Sequence, residues 1–365
     1  QRARDHPEAA AFGGVGGTRS GVKCLHAHYA NHLAGGADPA GAWTAERVEP
    51  VHPEGTGRVA VIDQGTNSIR LLVVEPDGTG GFRELARDMV ITRLGQGVDR
   101  TGRIAPEALA RTAAALETYC RRARALHAER IHVSATSAVR DASNRAGFER
   151  AVLDLAGSEL EVISGEREAE LSFLGAVRGL DAARRVEAPF LVLDVGGGST
   201  ELVVGTDRPE VAVSLQMGSV RLTERSVRHD PPSTRELEDM RRAVEDLLEE
   251  AEGTVSVRGA GTLVAVSGTS TTVQAIALGL ERYDPEAIHG TRLSVEDAER
   301  VLAELARLTT AERSALAVMA PGRGDVILAG AVILVAVMRR FGFASALVSE
   351  ADILDGLAFE ALAGG

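Results

Sequence analysis

Lysine is nearly missing from this chain: Lys23 is the only one among 40 basic residues, so almost all of the positive charge is guanidinium. Aromatic residues are also scarce, at 3% of 365 residues, while hydrophobic residues reach 44%. The core must therefore be built from Ala, Val, Leu and Ile, as is common in α/β proteins. Two cysteines, Cys24 and Cys120, exclude a disulfide framework. No charged start followed by an apolar run reads as a secretory signal, and the longest apolar stretches, such as 329–338, are too short to span a bilayer. A cytoplasmic protein without a membrane partner is expected. The net charge of −12 argues against a nucleic-acid surface and against bulk attraction of any polyanion. An anionic substrate would have to be held locally, by arginines, helix N-termini and metal ions. The arginine excess reads equally well as the mark of a GC-rich genome. Gln1 in place of a starting Met points to upstream sequence missing or removed.

The length suits two domains. Residues 1–57 are rich in Gly, Ala, His and Pro and read as an extension that ends near Arg58. Beyond it, β-rich runs (VAVID, FLVLD, LVAVS, ASALVS) alternate with helix-period segments at 106–127, 234–252 and 321–339, which is an α/β pattern.

An internal repeat determines the expected architecture. DQGTNSIRLLVV from Asp63 and DVGGGSTELVVG from Asp194 share D-x-G-x-x-S-x-x-L-x-V in register. The pairs are Asp63/Asp194, Gly65/Gly196, Ser68/Ser199, Leu71/Leu202 and Val73/Val204. Each copy reads as a buried strand, a tight glycine-bearing turn and an antiparallel return strand, so two similar domains are expected. In such a turn glycine lets the backbone approach a phosphate, N–H groups and a hydroxyl donate to it, and the leading Asp is placed to hold Mg²⁺. Two such turns facing one another would grip a phosphate chain from both sides.

These residues also carry a family resemblance. VAVIDQGTNSIRLLVVE (59–75), VSATSAVRDASNR (133–145), VISGEREAELSFLGA (162–176), LVLDVGGGSTELVVG (191–205), MGSVRLTER (217–225), VSGTSTTVQAI (266–276) and PGRGDVILAGAVIL (321–334) resemble, in order, the motifs of the Ppx/GppA phosphatases. The resemblance covers 58–361. It implies an α/β fold of two ribonuclease-H-like domains of the actin and sugar-kinase superfamily, with catalysis in the cleft between them. The domains would be 58–185, joined by a C-terminal helix in 350–365, and 186–349. The chain ends where longer relatives continue into a helical domain, so it reads as the short form; a homodimer is left open.

Carried over by position, Glu168 matches the family's general base, which orients and deprotonates an attacking water. Glu166 and Glu170 are rivals by type, but residues two apart on a helix project in different directions. Asp194 and Glu201 match the acidic pair that binds Mg²⁺ and helps position water, and Asp63 is their counterpart in the first half. Carboxylates beside a phosphate chain repel it unless a cation intervenes, which itself argues for Mg²⁺. Substrate contacts are expected from Gly65, Thr66, Asn67 and Ser68 in the first turn and from Gly196, Gly197, Gly198 and Ser199 in the second. Arg140 reads either as a bidentate phosphate ligand or as an ion pair with Asp141 or a helix carboxylate. Gly268 and Thr269, in a Gly-Thr turn opening a helix, would meet a phosphate or nucleotide. Arg221 and Arg225 lie four apart, on one helix face.

The expected activity is release of terminal phosphate from inorganic polyphosphate. A pppGpp 5′-phosphatase, a kinase of the same superfamily and a non-catalytic polyphosphate or alarmone sensor are the alternatives. Polyphosphate is favoured because arginines recur at Arg70, Arg93, Arg140, Arg221 and Arg323, whereas Phe173 is the one aromatic in these motifs placed to stack on a base. Separately, residues 16–41 resemble the end of an actinobacterial family of unknown function. There Cys24, His28 and His32 recur every four residues, a spacing that one helix could offer to Zn²⁺ with His26 nearby. A plain helical or disordered tail is the other reading.

Overall fold

The structure is a computed structural model that describes residues 57–180, 186–253 and 259–364. The metal-ligand spacing of Cys24, His26, His28 and His32 lies outside the described residues. The chain first forms an antiparallel meander, β1 (Val59–Gln64), β2 (Ser68–Pro76) and β3 (Phe82–Ile91). There follow α1 (Val98–Thr101), α2 (Pro106–Ala125), β4 (Arg130–Ala135), α3 (Ser137–Asp141), α4 (Ala146–Ala156), β5 (Leu160–Val162) and α5 (Gly165–Arg178). Strands β4 and β5 add parallel to β1, giving the order β3-β2-β1-β4-β5.

The second half repeats this wiring. Its meander is β6 (Phe190–Val195), β7 (Thr200–Gly205) and β8 (Pro209–Leu215). Then come α6 (Ser219–Ser226), α7 (Thr234–Glu252), β9 (Thr262–Val266), α8 (Ser267–Ala277), α9 (Pro285–Ile288), β10 (Thr291–Ser294), α10 (Val295–Arg307), α11 (Thr310–Ser314), α12 (Ile327–Arg340), β11 (Ser345–Val348) and α13 (Ile353–Ala363). Read from the β8 edge the order is β8-β7-β6-β9-β11-β10, with β9 parallel to β6, β11 parallel to β9 and β10 an antiparallel addition. The central strands β1 and β6 are buried along their whole length, because each has neighbours on both sides and packed layers on both faces. That double burial is why VAVID and FLVLD read as continuous apolar runs.

Helix α5 lies between the two sheets. Leu171 packs with Val61, Leu72, Ile353 and Leu354, while Ala169 and Phe173 pack with Val192, Val203 and Val264. Helix α13, at the end of the chain, returns to the first sheet and crosses α5 closely. A Cβ at Gly175 would stand 1.8 Å from the carbonyl oxygen of Asp352, so only glycine permits the crossing.

Two local expectations are refined. The helix expected from residue 321 begins only at Ile327, because Pro321 and Gly322, the latter at φ +85°, hold the preceding segment as a loop. The turn of Gly268 and Thr269, expected to open a helix, is the first turn of α8 itself: β9 passes straight into the helix, and Ser267 at φ 73° makes the corner.

Candidate active site

Strand register places the repeat's acidic residues. In the first hairpin Asp63 stands opposite Arg70, and in the second Asp194 stands opposite Glu201. The equivalent position on the return strand thus carries a cation in one half and an acid in the other. Arg70 donates to Asp63 Oδ2 from Nη2 at 2.6 Å and from Nε at 3.2 Å, and its Nη1 is paired with Asp352. Burial works against the Arg70 charge, but Asp352 and Asp63 hold its pKa above the ordinary value. Asp352 comes from 282 residues downstream and also caps α13, accepting from Leu354 N at 2.9 Å.

Glu168 stands in the first turn of α5, whose N-cap Ser164 accepts from Arg167 N at 3.2 Å. Of the three glutamates near this helix start, Glu168 is buried while Glu166 and Glu170 are exposed. Ser172, one turn further on the same face, donates to Asp194 Oδ2 at 2.6 Å. Arg140 Nη1 reaches Glu168 Oε2 at 3.3 Å and the Ile163 carbonyl at 2.9 Å. The expected ion pair of Arg140 with a helix carboxylate is therefore present, and Asp141 is paired with Arg221 instead. Glu201 Oε1 accepts from Ser214 at 2.8 Å.

The electrostatics follow from crowding acids in a dry place. Burial, and then the Asp194 carboxylate, push Glu168 up to about 8, with Arg140 pulling the other way. Burial and Asp352 push Asp194 up to about 6. Glu201 is raised well above the ordinary range by burial, Glu168 and Asp194. Burial also raises Asp63, against the opposing effect of Arg70. Desolvation and like charge act together here, and each disfavours the ionised form.

The two phosphate-type turns meet directly. A Cβ added at Gly198 would lie 2.5 Å from Ser137 Oγ and 2.6 Å from Thr66 Oγ1, and one at Gly197 would lie 3.2 Å from Asn67 N. The glycines of the second turn thus allow contact with the first. Facing turns were expected across a cleft; here they touch, and the cleft is closed at this point. Among the described residues, the buried Asp63 Oδ1, Thr66 Oγ1 and Asn67 Oδ1 have no hydrogen-bond partner in the protein. Orphaned polar atoms at the end of β1 and in the turn that follows it are costly unless a ligand satisfies them.

Other expected contacts stand further back. Thr269 Oγ1 donates to the Val195 carbonyl at 3.4 Å, and the Gly268 carbonyl accepts from Arg323 Nη1 at 3.1 Å. The first contact joins α8 to the end of β6, where the second turn begins; the other ties α8 to the loop before α12. Phe173 is fully buried between α5 and the second sheet, which removes it as a base-stacking surface. Arg93 pairs with Asp325 at 2.8 Å. Sequence reasoning missed Asp352, Ser172, Ser214 and Asp99, and it named Asp141 only as a partner for Arg140. Ser172 had a signal, its i+4 spacing from Glu168; Asp352 showed only the D-x-x-D pattern of a helix cap.

Asp63 and Asp194 are the carboxylates suited to a divalent cation: hard oxygen donors, one with an orphaned buried oxygen, beside turns suited to phosphate. Among the described residues no three acidic, His or Cys side chains form a ready cage. A cation here would complete its shell with water and phosphate oxygens, as Mg²⁺ usually does.

Comparison with known proteins gives a consistent answer. The sequence model of the Ppx/GppA phosphatase family matches residues 72–363, and that of a protein family of unknown function, DUF501, matches residues 1–46. Exopolyphosphatase 2 of Mycobacterium tuberculosis is 46% identical over 313 residues, covering 82% of this chain and 97% of its own. The crystal structure of an exopolyphosphatase-like protein, 40% identical, superposes with a TM-score of 0.79 over 83% of this chain and 98% of its own. An exopolyphosphatase from Cytophaga hutchinsonii, 26% identical, gives 0.77 over 84% and 98%. The duplicated sheet wiring is accordingly the actin-like fold. Among the described residues, no helix is long and apolar enough to cross a membrane.

Proposed function

The chain belongs to the Ppx/GppA phosphatase family, and we propose that it is an exopolyphosphatase that releases terminal phosphate from inorganic polyphosphate by direct attack of water. The observation that carries this reading is the join of the two turns. There Thr66 and Asn67 meet Gly197 and Gly198 beside the orphaned Asp63, Thr66 and Asn67 oxygens, and Glu168, Asp194 and Glu201 are buried.

In the proposed reaction the N–H groups and hydroxyls of 65–68 and 196–199 hold the terminal phosphates. Glu168 orients a water and takes its proton as the water oxygen bonds to the terminal phosphorus. The bridging P–O bond breaks, and its electron pair stays on the shortened chain. Glu168 must be ionised for this; burial and Asp194 hold it up at about 8 against Arg140, and a cation at Asp194 would bring it down. Mg²⁺ held by Asp63 and Asp194 would neutralise the phosphates and the charge growing on the leaving oxygen. Ser172 fixes Asp194, and Ser214 fixes Glu201, so the acids keep their orientation as charge shifts.

Polyphosphate is favoured over pppGpp because Phe173 offers no face for a guanine. The test is phosphate release by the full chain from polyphosphate, pppGpp and ATP, with Mg²⁺ or with chelator, under identical salt. The highest kcat/KM is expected for polyphosphate, with loss of activity in chelator. A clear advantage for pppGpp would overturn the substrate assignment, and binding without turnover would make the protein a sensor.

A further inference from the structure

The two halves are joined again beside the phosphate turns, through α6. Arg221 Nε donates to the Gly198 carbonyl at 2.7 Å, so this guanidinium is mounted on the second turn itself. Its other nitrogens face the first half. Nη1 is paired with Asp99 of α1, and Nη2 reaches Asp141 of α3 at 2.7 Å and Ser137 Oγ at 3.3 Å. Arg225, one turn along, contacts Asp99 through Nε and Nη2, both at 2.7 Å, and Gly97 N donates to Glu224 at 2.9 Å. Each of these contacts ties α6 to the half that carries the first turn.

The space bounded by Thr66, Gly95, Ser137, Asp141, Gly198 and Arg221 is about 10 Å³, room for a single water and none for a phosphate. The turns must therefore part before they grip a substrate. Parting removes Asp99 and Asp141 from Arg221, while the bond to Gly198, within its own half, can persist. An arginine anchored through Nε and vacated at both Nη groups presents a ready two-pronged donor to an anion. The group it has lost and the group it would gain are both anionic oxygens.

We propose that Arg221 grips a phosphate of the chain in the opened cleft, and that Asp99 and Asp141 are its intramolecular placeholders, competing with substrate for the same guanidinium. The proposal rests on the polyphosphate reading above. Side-chain exposures of 11% for Arg221 and 18% for Asp99 shield their pair from water, so it resists opening more than a surface ion pair would. Because only the opened fraction binds, the placeholders raise the apparent dissociation constant by the reciprocal of that fraction.

The test is the KM for polyphosphate of defined length, with melting temperature recorded for each variant. The double variant Asp99→Asn/Asp141→Asn should lower KM by about tenfold. Asp141→Asn alone, which leaves Asp99 in place, should lower it less. Arg221→Gln removes grip and placeholder contacts together, and these losses oppose one another. In the Asp99→Asn/Asp141→Asn background only the grip is left to lose, so Arg221→Gln should raise KM by a larger factor there than in the parent. A parent that hydrolyses polyphosphate while neither aspartate variant lowers KM overturns the inference and leaves the hydrolase reading standing. Equal effects of Arg221→Gln in both backgrounds overturn it too. A parent that releases no phosphate from polyphosphate removes both.

Discussion

The two hairpins are copies of one pattern put to different electrostatic use. In the first, Asp63 faces Arg70, and the buried charge is balanced by a guanidinium shared with Asp352. In the second, Asp194 faces Glu201, with Glu168 beside them, and the facing pair is bonded by the hydroxyls of Ser172 and Ser214 in place of a shared guanidinium. Duplication thus supplies two similar glycine turns, and among the differences between the copies Arg70 against Glu201 on the return strand sets their charge balance apart. The balanced half can serve as scaffold and grip. In the proposed reaction each half gives one carboxylate, Asp63 or Asp194, to the cation, and Glu168 exchanges the proton beside the acid pair of the second.

That contrast is open to experiment. The largest effect is expected on the acid side: Glu168→Gln should lower kcat by roughly two to four orders of magnitude while substrate still binds, the usual worth of a positioned base. Phosphate release at saturating polyphosphate measures it, and near-normal turnover would move the base to Glu201. On the balanced side, Arg70→Gln should act through stability. It leaves Asp63 and Asp352 facing each other without their shared cation, at a cost of about 3 kcal/mol, visible in denaturant unfolding. A variant as stable as the parent would mean that the first hairpin is not held by charge balance.

The smallest effect carries the opposite sign. Glu201 and Glu168 are raised above the ordinary glutamate value of 4.5, Glu168 to about 8. Their neutral forms fit the fold, so their contribution to stability is complete below about pH 4.5 and is lost as pH rises through the shifted values. The metal-stripped protein should therefore melt progressively lower from pH 5 to pH 8. Glu201→Gln, which retains an acceptor for Ser214, should melt a few degrees higher than the parent at pH 8 and converge with it near pH 4.5. A melting temperature that rises with pH over this range, or a variant that lowers it at pH 8, would show that these acids are ionised and compensated in the fold.

Much of this was legible in the chain. The repeated D-x-G-x-x-S-x-x-L-x-V implied two hairpins with glycine turns, because buried strands and tight turns are local, short-range solutions. Both antiparallel hairpins are present. Glu168 was separable from Glu166 and Glu170 by helix geometry and motif position. The arginines were legible only in part. A subset of Arg70, Arg93, Arg140, Arg221 and Arg323 was expected to track a phosphate chain and the rest to be structural; each is held by a carboxylate, a carbonyl or a hydroxyl, Arg140 by the helix carboxylate that its alternative reading named. A guanidinium's partner is set by whatever anion the fold brings within reach, and partners hundreds of positions away leave no local trace.

The amino-acid order by itself determined the duplication, the phosphate-type turns and the identity of the acids, since each depends on residues adjacent along one strand, turn or helix. Only the tertiary structure decided how those acids are shared among cations. Residue 352 had to return through α13, pressed against α5 where Gly175 leaves room, before Arg70 could hold two carboxylates at once. It also decided that the turns meet closed, with Arg221 held by Asp99 and Asp141. Charge pairing acts through space with a range of a few ångströms, so its outcome belongs to the packed chain.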